Sequence, residues 1–338
     1  MIASPAKKWL RRTARILIGL FLFFNIVMAF NAWKFTHYYE DPELRKPQPI
    51  GFLPMVGNII FGQKLPKRLN DTVPAVPFET VILKNKDGLR LEAWSMISTQ
   101  SPTSLHRTRD PLDTTDYSKV FSYRGTIIMF HGQGSCKSAI LREAYEFLQL
   151  GYCVFMVDFR AHGGSEGEQS TIGLKEDEDV RIAYEYIKDK TKQEPILWGI
   201  SLGAATITRA ITEYNLHPQK VILEMPFGSL QSAVKGFMRI KGLPQAFAPF
   251  LTFWGGTLNG EWAFNHQPTE FAKNITCPVL LQWGANDPRV TKAEEEEIFT
   301  NLNTTKKQFV VYETAAHESL CKKEPDRWVK HVSEFLSE

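Results

Sequence analysis

The sequence has little cysteine: Cys136, Cys153, Cys277 and Cys321 are the only four in 338 residues, and no two are spaced as C-x-x-C. A disulfide-dense scaffold and a zinc finger or ribbon are thereby excluded. Acid is missing from one end. Residues 1–34 carry six basic side chains (Lys7, Lys8, Arg11, Arg12, Arg15 and Lys34) and no Asp or Glu, which leaves 34 basic against 37 acidic residues in the remainder, a net of −3. The overall charge of +3 is therefore not a basic face for nucleic acid. No phosphate-binding glycine loop, dinucleotide fingerprint or internal repeat is present, and no cluster has metal-ligand spacing. At 43% hydrophobic and 23% charged, the composition is that of a folded chain. The length suits one large α/β domain with additions, or two average domains.

Ile16–Trp33 holds 18 residues without a charge. As a helix this stretch spans about 27 Å, close to the roughly 30 Å hydrocarbon core of a bilayer. Five basic residues precede it and Lys34 follows it. The positive-inside rule then puts the amino terminus in the cytoplasm and the rest of the chain on the opposite side, periplasmic or lumenal/extracellular. A cleaved signal peptide, with a weak small-residue match at Val27-Met28-Ala29 and a secreted product, is the alternative.

Residues 36–77 read as a linker or strap, because Pro42, Pro47, Pro49, Pro54, Pro66 and Pro74 interrupt any long helix. From residue 78 onward, short β-rich runs alternate with helical stretches. Strands are expected at Thr80–Leu83, Leu89–Met96, Thr126–Phe130, Tyr152–Asp158, Ile196–Gly199, Lys220–Glu224, Val279–Trp283 and Gln308–Tyr312, the first two forming a hairpin about Asp87-Gly88. Helices fit at Lys137–Leu150, Leu174–Lys190, Leu202–Tyr214, Lys292–Thr300 and Pro325–Leu336. Such alternation implies a three-layer α/β sandwich with a largely parallel sheet. Two stretches stand outside it: a polar excursion at 98–123, and an aromatic segment at about 225–275 that reads as a cap over the carboxyl ends of the strands.

The chemistry is carried by Gly199-Ile200-Ser201-Leu202-Gly203, a G-x-S-x-G run between an apolar strand and a small-residue helix start. Such a turn needs Gly199 and Gly203 because neighbouring backbone must approach closely there. It presents the Ser201 hydroxyl above the sheet as a candidate nucleophile. A serine needs a base, and the base needs an orienting carboxylate, in the chain order Ser, Asp or Glu, His. Asp287 lies in the loop after the Val279–Trp283 run and His317 in the loop after Gln308–Tyr312. An oxyanion hole requires two backbone N–H donors. One is expected from Leu202, the other from Gln133 in the loop His131-Gly132-Gln133-Gly134, where Gly132 and Gly134 admit close approach. His131 is read as a brace for that loop.

With His131-Gly132, the run Asp158-Phe159-Arg160-Ala161-His162-Gly163-Gly164-Ser165-Glu166-Gly167, the Ser201 elbow and the Asp287 and His317 loops, residues 78–338 resemble the α/β-hydrolase superfamily, most closely its monoacylglycerol-lipase, lysophospholipase and serine-aminopeptidase-like branch. The resemblance implies a mostly parallel eight-stranded sheet, a Ser201–His317–Asp287 triad, and a structural role for Asp158 and His162. Serine at the elbow argues against the dehalogenases and epoxide hydrolases of this fold, which use Asp there. The expected activity is hydrolysis of carboxylic esters with apolar or lipid-like acyl groups, since the cap carries Phe227, Phe237, Phe247, Phe250, Phe253, Trp254, Trp262 and Phe264 but few carboxylates to grip a free amine. A peptidase or amidase of the same fold, and a membrane-tethered binding module without catalysis, are the alternatives. The chemistry needs no cofactor and no metal. The expected partners are a small ester substrate and, through the N-terminal helix, a membrane.

Overall fold

A computed structural model describes residues 5–46, 52–98 and 124–338. Apart from Ser98, the polar excursion at 98–123 lies outside the described residues. The apolar N-terminal stretch forms helix α1, Pro5–Thr36. Its first half is exposed all round, with Leu17 and Phe21 about as open as in an isolated helix, whereas Val27, Ala32 and Thr36 are buried against the rest of the protein.

The 36–77 segment contains more structure than its prolines indicate. A ten-residue helix, α2 (Phe52–Phe61), forms within it. Pro54 lies in the first turn, where a missing N–H removes no intrahelical hydrogen bond. The helix is fastened to α1 by the Asn31 side-chain amide, which donates to the Ile59 carbonyl at 2.9 Å. Beyond it, Leu65–Pro66 pairs in parallel with Tyr38–Tyr39.

Eight strands among the described residues form one sheet: β1 Phe78–Lys84, β2 Arg90–Met96, β3 Thr126–Phe130, β4 Cys153–Val157, β5 Ile196–Ile200, β6 Val221–Glu224, β7 Val279–Gly284 and β8 Lys307–Tyr312. Their spatial order is β8-β7-β6-β5-β3-β4-β2-β1. Every pairing is parallel except those of β2 with β1 and with β4. The β1–β2 hairpin turns at Asp87-Gly88, where Gly88 has φ +82°. Strands β3 and β5–β7 are buried on both faces, while the edge strands β1 and β8 are only partly buried and alternate toward their ends. That is the burial expected of a sheet sandwiched between helices.

The helices are α3 Leu141–Gln149, entered through a 3-10 turn at Lys137–Ile140, α4 Glu176–Thr191, α5 Leu202–Tyr214, α6 Leu230–Ile240, α7 Ala248–Thr257, the single-turn α8 Pro268–Phe271, α9 Lys292–Asn301, the single-turn α10 Leu320–Lys323, and α11 Pro325–Ser337. Two separate apolar cores flank the sheet. One gathers α4, α5 and α9 around Phe130, Phe155 and Leu197; the other gathers α3 and α11 around Phe147, Trp198 and Trp328. Helix α6 touches the first core only through its opening turn, at Leu230 and Ala233, and α7 contributes to neither. They share a small core of Val234, Met238 and Ala248 and lean on α1 through Phe24–Phe247 and Phe24–Phe250 ring contacts at 5.1 and 5.0 Å. The Trp254 indole adds a hydrogen bond to Asn25 Oδ1 at 3.2 Å.

Candidate active site

Ser201 lies between β5 and α5 with φ +54° and ψ −113°, outside the regions comfortable for a residue with a side chain. The surrounding backbone enforces this conformation. The Ser201 N–H donates to the Glu224 carbonyl of β6 at 2.7 Å. A Cβ on Gly199 would come within 2.6 Å of the Gly203 carbonyl carbon, and one on Gly203 within 2.3 Å of the Phe130 carbonyl oxygen. Only glycine fits at either position, and the half-buried hydroxyl emerges at the positive N-terminal end of α5.

Two loops from the same sheet edge meet this hydroxyl. His317 Nε2 is 2.9 Å from Ser201 Oγ, and His317 Nδ1 is 2.6 Å from Asp287 Oδ2. The carboxylate at Nδ1 places the ring proton there and leaves Nε2 to accept from the serine. Asp287 is held in turn by the N–H groups of Arg289 and Val290, both donating to Oδ1, at 2.7 and 3.0 Å. Its carboxylate is fully buried, while the His317 side chain keeps 11% exposure. At the end of β7, a Cβ on Gly284 would come within 2.5 Å of the Ala316 carbonyl. This glycine lets the Asp287 and His317 loops press together, and its place at the end of a strand, three residues before Asp287, was the available signal for it.

The loop after β3 lies on the other flank of Ser201, with Gly132 close enough that a Cβ there would sit 3.6 Å from the serine Cβ. Two buried imidazoles support it. His131 Nε2 accepts the Phe159 N–H at 3.2 Å while Nδ1 faces the Gly132 carbonyl at 2.8 Å. His162 Nε2 accepts the Gly134 N–H at 3.1 Å while Nδ1 faces the Arg160 carbonyl at 2.8 Å. Both rings are therefore neutral with the proton on Nδ1. Burial, reinforced by His162, pushes His131 down to about 3, and burial likewise lowers His162. The Gln133 side chain donates to Tyr38 Oη at 2.6 Å and its carbonyl accepts from Ser170 Oγ at 3.2 Å. Neither Tyr38 nor Ser170 is visible as a site residue from spacing alone. Leu202 is the first residue of α5, directly behind Ser201.

Asp158 lies away from this relay, buried in an ion pair with Lys137. Among the described residues, no group of three or more His, Cys, Asp or Glu side chains is arranged to hold a metal.

The profile of the family described as "Serine aminopeptidase, S33" matches residues 122–270, a span that includes the Ser201 elbow and ends before the Asp287 and His317 loops. The chain is 25% identical over 255 residues to "Lysophosphatidylserine lipase ABHD12" of Danio rerio, covering 69% of this chain and 62% of that protein. It is 26% identical to "Uncharacterized membrane protein YNL320W" of Saccharomyces cerevisiae, covering 72% and 74%. The chain thus spans less than two thirds of the length of the Danio rerio relative. Among solved structures it is similar to the Pyrococcus furiosus esterase Pf2001, with a TM-score of 0.61 and 22% identity over 80% of this chain and 98% of that one. It also resembles a membrane phospholipase A described as a bacterial virulence factor, with a TM-score of 0.53 and 17% identity over 77% and 86%. The strand order, the serine elbow and these likenesses agree: the chain has the α/β-hydrolase fold and is similar to serine hydrolases that share it.

Proposed function

We propose that this protein hydrolyses carboxylic esters with lipid-like acyl groups, of the monoglyceride or lysophospholipid kind, through Ser201, His317 and Asp287. The reading is carried by one observation: Ser201 Oγ, on a strained elbow, lies 2.9 Å from an imidazole whose other nitrogen is 2.6 Å from a buried carboxylate. In the reaction, Ser201 Oγ attacks the acyl carbonyl as His317 Nε2 takes its proton. Asp287 holds the tautomer and stabilises the imidazolium. The N–H groups of Leu202 and Gln133 receive the oxyanion. His317 then protonates the leaving alcohol, and water repeats the sequence on the acyl-enzyme.

The lipid preference draws on the aromatic cap and on the lipase name of the Danio rerio relative. The membrane association draws on α1, which is long and apolar enough to cross a bilayer, and on the membrane-protein name of the yeast relative. We place the amino terminus in the cytoplasm and the hydrolase portion across the membrane. Because the second half of α1 packs against α7 and α2, the domain would sit against the bilayer instead of swinging on a free stalk.

Fluorophosphonate labelling tests the reading directly. Wild type should be labelled at Ser201 and Ser201→Ala should be inert, and an unreactive Ser201 in folded protein would end the proposal. The family profile's name favours a second reading, aminoacyl-amide hydrolysis. Ester and aminoacyl-amide substrates of matched acyl size, assayed in parallel, separate the two.

A further inference from the structure

The chain just behind α1 reaches the loop that faces Ser201. We propose that Tyr38, two residues past the end of α1, is a positioning residue for that loop: its hydroxyl holds the Gln133 side chain and thereby fixes the Gln133 N–H. The segment behind the membrane helix then becomes part of the working site. This inference rests on the serine-hydrolase reading above.

Four observations carry it. The Tyr38 phenol is 3% exposed, so its Oη meets no bulk water that could replace a lost partner. Gln133 is gripped at both ends of its amide, its NH₂ by Tyr38 Oη at 2.6 Å and its carbonyl oxygen by Ser170 Oγ at 3.2 Å, which defines the rotamer. The next residue, Gly134, takes φ +64°, a conformation that favours glycine, and lies beside the phenol, where a Cβ would be 3.4 Å from Tyr38 Oη, in ordinary contact. The Tyr38 ring packs against His162 at 4.8 Å, the same imidazole that accepts the Gly134 N–H.

The segment is itself anchored. The Tyr38 N–H donates to the Glu168 carbonyl at 2.7 Å, and the Ser170 N–H donates to the Thr36 carbonyl at 2.8 Å. His37 bridges to Gln169 between them. Residues 36–38 therefore run as an added edge along 168–170, bringing phenol and serine to the two ends of one amide. A buried phenylalanine would fill the same space, so the hydroxyl is explained by Gln133 and not by packing. Oxyanion donors act only when held within a few tenths of an ångström of the developing charge, and losing one costs about 10²–10³-fold in kcat. Loosening one should cost less.

The test uses full-length protein in detergent with a p-nitrophenyl ester, alongside the rate of fluorophosphonate labelling. Tyr38→Phe should lower kcat about tenfold with KM within about twofold, and should slow labelling similarly while Ser201 still reaches complete modification. Gln133→Met, which keeps the backbone N–H but frees both ends of the amide, should fall at least as far. The double variant should fall no further than Gln133→Met alone, because Tyr38→Phe removes an interaction already lost there. Wild-type kcat and labelling rate in Tyr38→Phe would overturn the inference and leave the serine-hydrolase reading standing. So would a double variant that loses the product of the two single effects. Should Tyr38→Phe fold poorly, full activity in folded Gln133→Met overturns it equally. A wild type that resists labelling at Ser201 overturns both readings together.

Discussion

Two buried polar clusters lie along the same sheet edge and are built on opposite principles. Around the turn after β4, each charge has several partners. Asp158 receives the Lys137 and Gly164 N–H groups and the Asn70 amide at 2.6, 2.8 and 2.8 Å, besides the Lys137 ammonium. That ammonium also meets Glu92 at 2.7 Å and sits over the Trp94 ring. Arg160 spreads over Asp179, Glu178 and Asp87 at 2.7, 3.1 and 3.2 Å. The Ser201–His317–Asp287 relay is single-file: Asp287 takes two backbone N–H groups on one oxygen, but a single contact joins each pair of its members, and its last hydroxyl is only half-buried. Multiply satisfied charge makes scaffold, because no group in it can change protonation or move without stranding the others. A chain of single contacts with an open end can hand on a proton.

The contrast breaks or sharpens under substitution. The largest effect is expected from Ser201→Ala, which should lower kcat by about 10⁴–10⁶-fold while leaving the urea midpoint nearly unchanged. A drop in both would mean the elbow serine is scaffold too. Asp287→Asn should cost about 10³–10⁴-fold in kcat by favouring the wrong His317 tautomer, again with the fold intact by circular dichroism. Asp158→Asn should do the reverse, destabilising by about 3–5 kcal/mol in urea while the folded fraction still labels at Ser201. Burial pushes the Asp158 carboxyl up, but Lys137 and His131 hold it below its ordinary value. Its contribution is therefore present above the ordinary carboxylate range and lost as pH falls below it. A wild-type stability profile in acid that matched the variant's would count against this.

The smallest effect concerns a third kind of buried acid. Glu224 accepts from the Trp198 and Trp328 indoles at 3.0 and 2.6 Å through one oxygen. Burial, with Glu143 nearby, pushes it up to about 8. A raised carboxyl binds its proton more tightly in the folded state. Stability is thus fullest below about 4.5 and falls as pH rises toward 8. Glu224→Gln should flatten that slope, a difference on the order of 3 kcal/mol across the interval, seen as Tm against pH. Parallel curves for wild type and variant would remove Glu224 as the source.

Much of this architecture is legible from local chemistry. Helix α5 starts at Leu202 because the elbow must end in a helix, and the buried strands stand out because a sheet covered on both faces needs unbroken apolar runs. The order Ser201, Asp287, His317 along successive loops could be read the same way, and the three side chains do meet in space. What escaped reading was non-local. Helix α2 hides among prolines because Pro54 falls in a first turn, where it is harmless. Tyr38 and Gln133 are 95 positions apart, and no periodicity links an extended residue after the apolar first helix to a turn after a central strand. The weight of α7 on Phe24 and Asn25 is equally silent in composition.

The paired imidazoles beneath the Gln133 loop carry a further consequence. Each has its proton fixed on Nδ1 by a carbonyl and its Nε2 taken up by a peptide N–H, and burial pushes His131 down to about 3 and lowers His162 as well. Histidine usually makes a surface listen to acidity. Here the two rings act as braces whose hydrogen bonds need them uncharged, and burial works against the protonation that would break those bonds.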